Sequence, residues 1–283
     1  MERTRKLTAG SLEKFRRNLM MEEKSALTIA QYMRDVQAFF QFLPGGKQLD
    51  KEQAISYKAH LISAYHSIGT VNTKLAALNK FFSVMGLDGC KVKLLKAQRV
   101  MFQDRNRELT RAEYLRLLEA AREKSDTRLL LIMQTICSTG IRVSELRFIT
   151  AQAVKLNRVE VTAKGKARKI FLPAKLRKIL LAYLRKKRIG SGPVFTTRTG
   201  QPVDRSNLWG EMKRLCAAAG VERTKVFPHN LRHLFAREFY AVKKDIFHLA
   251  DILGHSSVET TRIYTVTSGC EHEYTMNTLG LIL

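Results

Sequence analysis

Hydrophobic residues recur at helical spacing through the N-terminal third of this 283-residue chain. Ser25 has the residue type of a helix N-cap, and Pro44-Gly45-Gly46 ends the segment that follows it. Short amphipathic helices in succession predict a small helical bundle over residues 1–85. The predicted helices span residues 11–21, 25–43, 50–66 and 70–85.

The helical period fades between residues 86 and 107, where lysine and arginine accumulate, and this stretch is predicted to be an exposed basic linker. Thr110 and Glu113 then have the spacing of a capping box, which opens a new helix. A second domain is therefore predicted over residues 108–283, with a C-terminal tail from residue 265.

The second domain has a mixed pattern. Two β-like segments, 159–162 and 168–172, flank Lys164-Gly165-Lys166 and predict a hairpin. The predicted fold class is therefore mainly α with one small β-sheet: a helical bundle followed by an α+β domain. Helices are predicted over 129–137, just after Arg142, and over 175–187, 204–219, 229–241, 245–253 and 258–264.

The charge balance identifies a class of partner. The net charge is +25, and residues 155–188 contain 13 basic residues against the single acid Glu160. Such an excess favours a polyanion, and nucleic acid in particular. A membrane partner is not predicted, because the longest apolar run, Leu129 to Met133, is too short to span a bilayer.

The cysteines are far apart and form neither a CxxC pair nor a zinc-ligand spacing. Isolated cysteines of this kind are typical of small core residues in a reducing compartment, so a cytoplasmic protein is expected. They are Cys90, Cys137, Cys216 and Cys270.

Three short motifs contain residues suited to phosphate chemistry. His229, Arg232 and His233 share one helix face, but the intervening residues do not make the HExxH pattern of a zinc site, so no metal is predicted. Arg142 follows a glycine turn and precedes Glu145 by one turn. Two guanidinium groups can grip one phosphate and stabilise the charge of its transition state.

The third motif places His255 directly after Gly254, with Tyr264 nine residues further on. A phenol has a pKa near ~10, so it needs nearby cations or a base before it can attack phosphorus. The histidines and arginines of the other motifs can supply both. Tyr264 is thus a candidate nucleophile, and Tyr274 is the alternative.

At Thr139–Leu146, Pro228–Ala236 and Leu253–Tyr264 the chain resembles the tyrosine recombinase (phage integrase) family. The order and spacing of these motifs are specific, and the resemblance extends over nearly the whole chain. It implies a core-binding helical domain and a catalytic domain that together form a C-shaped clamp on DNA. The chain begins almost directly with the bundle, and in this respect it is more similar to compact Xer-type or mobile-element recombinases.

The resemblance also implies roles for the motif residues. Arg142 and Arg232 look like the phosphate-clamping arginines, and Tyr264 like the nucleophile. His229 would be a general base or a hydrogen-bond donor to phosphate, and His255 occupies the second histidine-type position.

In this family a hairpin lysine protonates the leaving 5′-hydroxyl. Lys164 matches best, although Ala163 replaces the usual glycine and Lys166 remains an alternative. Glu145 and His233 are interpreted as supporting residues. Further DNA contacts are predicted at Lys91, Lys93, Lys96, Lys166, Arg168 and Lys169.

The implied reaction is site-specific recombination through a 3′-phosphotyrosine intermediate, without a cofactor, metal ion, ATP or small-molecule substrate. The implied partners are double-stranded DNA and three further copies of the chain, or a related recombinase or accessory protein. The tail from residue 265 could dock on a neighbouring protomer or on its own domain. Two alternatives stay open: a type IB topoisomerase and a DNA-binding protein without catalysis.

Overall fold

The fold is described from a computed structural model. It describes residues 5–45, 48–96, 107–163, 166–197, 199–255, 257–264 and 277–278. The chain divides into two compact units, Met1–Arg99 and Val100–Leu283. None of the helices in the described ranges is long and apolar enough to cross a membrane.

The first unit is a four-helix bundle. Side-chain oxygen atoms cap the N-termini of two of its helices. Ser25 accepts a hydrogen bond from the amide of Thr28 at 3.2 Å, and Asp50 accepts one from the amide of Gln53 at 2.8 Å. A short antiparallel pair, β1 (Arg5–Lys6) with β2 (Gln48–Leu49), was not predicted. The helices are α1 (Ala9–Met21), α2 (Ala26–Phe42), α3 (Lys51–Ala64) and α4 (Ile68–Met85).

The core of the bundle is aromatic. Phe15 meets Phe81 edge to face with ring centroids 5.3 Å apart, and Phe39 meets Phe82 at 5.8 Å. All four side chains are fully buried. Edge-to-face pairs add specific geometry to the hydrophobic burial that drives the bundle together.

The first part of the predicted linker is tied to this unit. Asn79 donates to the carbonyl of Val92 at 2.8 Å and accepts from its amide at 2.9 Å. Asn72, two helical turns earlier on α4, makes the same pair of bonds to Leu95, at 2.9 and 2.8 Å. The backbone of residues 92–95 is therefore hydrogen-bonded along α4, although the side chains of Lys93 and Lys96 are exposed.

The second unit contains the remaining helices and one hairpin. Strand β3 (Val159–Ala163) pairs antiparallel with β4 (Lys166–Ile170), with Val161 opposite Arg168. The predicted class, mainly α with a small sheet, is confirmed. The helices are α5 (Arg111–Glu123), α6 (Thr127–Thr139), α7 (Ala151–Leu156), α8 (Ala174–Lys187), α9 (Arg205–Lys213), α10 (Cys216–Ala219), α11 (Pro228–Lys243) and α12 (Ile246–Leu253).

Two predicted helices differ from the structure. Residues 204–219 form two helices, α9 and α10, rather than one. Residues 258–264 form two single 3₁₀ turns, Val258–Thr260 and Arg262–Tyr264, rather than an α-helix. Short segments of this kind take their conformation from the surfaces they pack against, and a local hydrophobic period does not encode those surfaces.

Helix α6 is the central helix of the second unit. Its buried residues lie on more than one face, because α5, α8, α9 and α11 all pack against it. Helix α11 crosses α6 next to the turn at Gly140, and α12 follows α11. These contacts bring the three sequence motifs to one place.

Candidate active site

A pocket of about 300 Å³ lies at the N-terminus of α11, beside the 3₁₀ segment Val143–Phe148. The first amides of a helix are unpaired and carry partial positive charge, so the end of α11 favours an anion. Three of the eight residues around it are arginines, and none of the eight is acidic. The lining residues are Ile141, Arg142, Val143, Ser144, Arg205, Pro228, His229 and Arg232.

Arg142 is held in place by Glu145. The amide of Arg142 donates to Glu145 Oε2 at 2.9 Å, and its Nη1 donates to Oε1 at 3.0 Å. Nη2 donates to the carbonyl of Gly254 at 3.1 Å. The Glu145 side chain is only 4% exposed whereas that of Arg142 is 39% exposed. The carboxylate therefore orients a guanidinium group that still reaches the pocket.

Arg232 is the largest fully buried side chain among the described residues. Nη1 donates to the carbonyl of Gly140, and Nη2 donates to that of Leu253 at 2.7 Å. Burial, reinforced by Arg142 and then Arg168, lowers the pKa of Arg232 to about 9. The group is still charged at neutral pH, although it is surrounded by like charge.

Gly140 makes this arrangement possible. Its φ is +64°, and a Cβ there would lie 2.5 Å from the ring of Phe235. A side chain at this position would strain the backbone and displace α11. Glycine therefore lets α6 end close enough to α11 for the carbonyl group of Gly140 to accept the hydrogen bond from Arg232.

His255 is the partner of Arg232. Its Nε2 lies 3.1 Å from Arg232 Nη2, and its Nδ1 lies 2.8 Å from the buried hydroxyl of Thr261. A guanidinium group can only donate, so Nε2 accepts and Nδ1 holds the proton. Burial and then the cation Arg232 lower the pKa of His255 to about 4. His255 is thus a neutral acceptor that orients an arginine.

Tyr264 packs among the histidines. Its ring centroid lies 5.1 Å from that of His233 and 6.5 Å from that of His255. Its ring belongs to the same small hydrophobic cluster as Leu249 and Leu253 of α12. Burial raises the pKa of Tyr264, whereas nearby guanidinium groups lower it. The phenol therefore stays protonated at neutral pH until a base accepts its proton.

His229 and His233 lie one helical turn apart, with ring centroids separated by 4.4 Å. Desolvation and then the charge of Arg232 lower the pKa of His229, and desolvation followed by His229 lowers that of His233 to about 4. Both imidazoles are neutral at neutral pH. His229 lines the pocket, and His233 lies between His229 and Tyr264 with its buried Nε2 unpaired.

Several predicted site residues have no described side chain. Lys164 and the alternative nucleophile Tyr274 lie outside the described residues, as does the tail from residue 265 apart from residues 277–278. Lys166 opens strand β4, and only its backbone is described.

The predicted DNA contacts fall into two groups. Lys91, Lys93, Lys96 and Lys169 are exposed, as such contacts require. Arg168 differs: its side chain is only 14% exposed, and its guanidinium group binds Glu145. Its Nη1 and Nη2 already donate to Ile252 and Glu145, whereas its buried Nε has no partner among the described residues, so the DNA contact at Arg168 stays a prediction.

Arg205 lines the pocket and was not predicted. It is exposed on the first turn of α9, which Asp204 caps through the amide of Asn207 at 2.8 Å. Its charge contributes to the lowered pKa of His229. The capping pattern could place Arg205 at a helix start, but only tertiary contacts place that start beside α11.

Comparison with known proteins now identifies the family. The model of the phage integrase family matches residues 107–269, more than half of the chain. The chain belongs to the phage integrase family. A second model, the N-terminal SAM-like domain of phage integrases, matches residues 12–86 and thus the helical bundle. The protein is accordingly a tyrosine recombinase, an enzyme that cleaves and rejoins DNA.

Individual family members give the same result. The chain is 32% identical to tyrosine recombinase XerA of Thermococcus kodakarensis over 261 residues, which are 90% of this chain and 89% of that protein. A crystal structure of a XerA recombinase is 27% identical, with a TM-score of 0.53 over 95% of this chain and 98% of that one. A lambda integrase dimer bound to a core site shares the fold, with a TM-score of 0.72, 19% identity, and 93% and 78% coverage.

Proposed function

We propose that this tyrosine recombinase performs site-specific strand exchange with Tyr264 as its nucleophile. One observation carries the proposal: Arg142, His229 and Arg232 line one pocket, and Tyr264 packs beside it on His233. The elements that contribute them are far apart in sequence; the hydrogen bond from Arg142 to Gly254 alone spans 112 positions. Such convergence of cations, neutral imidazoles and a phenol supports phosphoryl transfer.

The pocket suits a scissile phosphate. Non-bridging oxygens placed at the N-terminus of α11 would meet the guanidinium groups of Arg142 and Arg232. A second negative charge develops on these oxygens as phosphorus becomes pentacoordinate. Pre-oriented donors stabilise that charge, and loss of one typically slows a reaction by about 10²–10³-fold.

The covalent step exchanges one ester for another. The Tyr264 phenolic oxygen bonds to phosphorus, and the bond from phosphorus to the 5′-oxygen breaks. Desolvation lowers the pKa of His229, so its imidazole is unprotonated at neutral pH and available to accept the phenolic proton. Lys164 supplies a proton to the leaving 5′-oxygen. A 5′-hydroxyl from the partner duplex reverses the sequence and releases the tyrosine.

Strand exchange between two duplexes cuts four strands, so four active sites are needed. We therefore assign double-stranded DNA as the substrate and a tetramer of this chain as the active assembly. The tail from residue 265 is the segment that we assign to contacts between protomers. Light scattering of the DNA complex and of a chain truncated after residue 264 tests the assignment, because truncation should prevent assembly.

Substitution of the nucleophile tests the proposed function. A duplex that binds the wild type is first selected from a randomised pool and then nicked near the cleavage position. The nick lets the short product diffuse away, which traps the covalent complex. We expect a denaturant-resistant protein–DNA adduct with the wild type and none with Tyr264→Phe, because phenylalanine lacks the attacking oxygen. Binding should be retained, since the hydroxyl alone is removed.

An adduct with Tyr264→Phe would contradict the assignment and make Tyr274→Phe the next variant. Relaxation of a supercoiled plasmid without paired sites would instead favour a topoisomerase. Binding without an adduct in the wild type would leave a DNA-binding protein that lacks catalysis.

A further inference from the structure

Three consecutive carbonyl groups at the end of α12 each accept a hydrogen bond from a different arginine. The carbonyls at a helix C-terminus are unpaired and carry partial negative charge, so they favour cations. The three bonds are Arg168 to Ile252 at 2.9 Å, Arg232 to Leu253 at 2.7 Å, and Arg142 to Gly254 at 3.1 Å.

Two of these arginines also share one carboxylate. Glu145 Oε1 accepts from Arg142 at 3.0 Å, and Oε2 accepts from Arg168 Nη2 at 2.6 Å. Glu145 is therefore held from both sides, and its orientation depends on both partners. Arg142 is the exposed member of this pair and faces the pocket, whereas Arg168 is 14% exposed.

Gly254 is an independent sign of close fit around Arg168. A Cβ at position 254 would lie 2.6 Å from Arg168 Nη1 and 2.8 Å from its Cδ. The Arg168 side chain thus lies directly against the backbone that precedes His255. Displacement of either group would disturb the other.

From this geometry we infer that Arg168 is a positioning residue for the strand-cleavage reaction. It orients Arg142 through Glu145 and holds the end of α12, from which His255 reaches Arg232. Through Arg168, strand β4 also contacts the same cluster. The inference rests on the proposed function, because it names a residue that prepares that site for phosphate.

The matched control is Arg177. It binds the end of another helix, with Nε donating to the carbonyl of Val154 at 3.0 Å and Nη2 to that of Lys155 at 2.6 Å. Like Arg168 it is partly buried, but neither of its partners lines the pocket. Arg177→Gln therefore reproduces the loss of a helix-end contact without touching the site.

Single-turnover cleavage of the nicked duplex is measured for Arg168→Gln, Arg168→Lys and Arg177→Gln over a range of DNA concentrations. Displacement of a pre-oriented arginine by a fraction of an ångström to an ångström should lower the maximal rate by about 10- to 100-fold in Arg168→Gln. The DNA concentration at half-maximal rate should hardly change. Arg168→Lys should be intermediate, because an ammonium group can keep the contact with Glu145 but cannot also reach Ile252. Arg177→Gln should cleave like the wild type.

Salt dependence separates positioning from direct DNA contact. Removal of a phosphate contact lowers the slope of log affinity against log salt concentration by about one unit. We expect Arg168→Gln to keep the wild-type slope. A reduced slope, or a cleavage rate equal to that of Arg177→Gln, would overturn the inference.

Hydrogen exchange gives a readout that does not depend on catalysis. The amides of Gly254 and His255 close the end of α12 by donating to Asp251 and Ala250, both at 3.0 Å. These two amides should exchange faster in Arg168→Gln than in the wild type, and at the wild-type rate in Arg177→Gln. Unchanged exchange in Arg168→Gln would overturn the inference, whereas failure of the wild type to form any adduct would count against the proposed function alone.

Discussion

The ends of α7 and α12 are both bound by arginine, but they differ in the number of charges gathered there. One guanidinium group, that of Arg177, spans two carbonyls at the end of α7. Three guanidinium groups meet at the end of α12, and Glu145 is the carboxylate that pairs with two of them. One arginine is evidently enough to satisfy a helix end.

The two additional arginines at the end of α12 are therefore not needed to satisfy its carbonyl groups. Cations packed together repel one another, and the lowered pKa of Arg232, about 9, reflects both its burial and that repulsion. A cluster of this kind reduces the stability of the free protein and becomes favourable when an anion arrives. The difference between the two helix ends is therefore what we expect if Arg177 stabilises the fold and the arginines at α12 bind phosphate.

The largest effect on the cleavage rate is expected when one pocket cation is removed. Arg142→Gln should slow adduct formation by about 10²–10³-fold, because it deletes a pre-oriented donor to the transition state. Single-turnover cleavage of the nicked duplex measures the rate, and thermal unfolding checks that the variant is folded. Arg177→Gln is the control and should keep the wild-type rate. Equal losses in the two variants would show that the two helix ends do not differ in function.

A smaller effect, on stability, is expected when the glycine that ends a helix is replaced by alanine. Gly220 ends α10 with a φ of +56° and open space around it, whereas Gly254 ends α12 with a φ of +63° against Arg168. Gly220→Ala should reduce the free energy of unfolding by about 1 kcal/mol, the usual cost of a left-handed alanine. Gly254→Ala should reduce it further, because Arg168 must move. Urea unfolding measures both, and equal reductions would contradict the close packing around Arg168.

The smallest effect concerns pH. The pKa of His233 is about 4 in the folded protein against 6.5 for the free side chain, and that of His255 is also about 4. Between these values the unfolded chain binds more protons than the folded one, so the free energy of unfolding should fall as pH drops from 6.5 towards 4. Below that range the two histidines should contribute no further loss.

Urea unfolding at several pH values measures this slope. His233→Phe should flatten it, because the replacement ring packs but does not titrate. Arg177→Gln should keep the wild-type slope, because Arg177 bonds to Val154 and Lys155 and does not contribute to the pKa shift of either histidine. A slope in His233→Phe identical to that of the wild type would contradict a buried neutral His233.

The long helices are predicted well from sequence because their signals are local. Ser25 caps α2, and the Thr110–Glu113 capping box opens α5, as their spacing indicates. The short elements are predicted poorly. The break between α9 and α10 and the 3₁₀ turns before Tyr264 preserve a helical period but depend on neighbouring surfaces.

The sequence alone was enough to predict the family and a set of candidate reactive groups in motifs whose order and spacing are specific: Arg142, His229, Arg232, His255 and Tyr264. The partners of each charged group, in contrast, are known from the folded structure alone. Arg142 and Arg168 were both predicted to contact DNA phosphate or its surroundings, but Arg142 lines the pocket with a 39% exposed side chain, whereas Arg168 is 14% exposed and bonded to Glu145 and Ile252. The physical reason is distance along the chain: Arg168 meets its partners 23 and 84 positions away, and local patterns do not encode contacts at such separations.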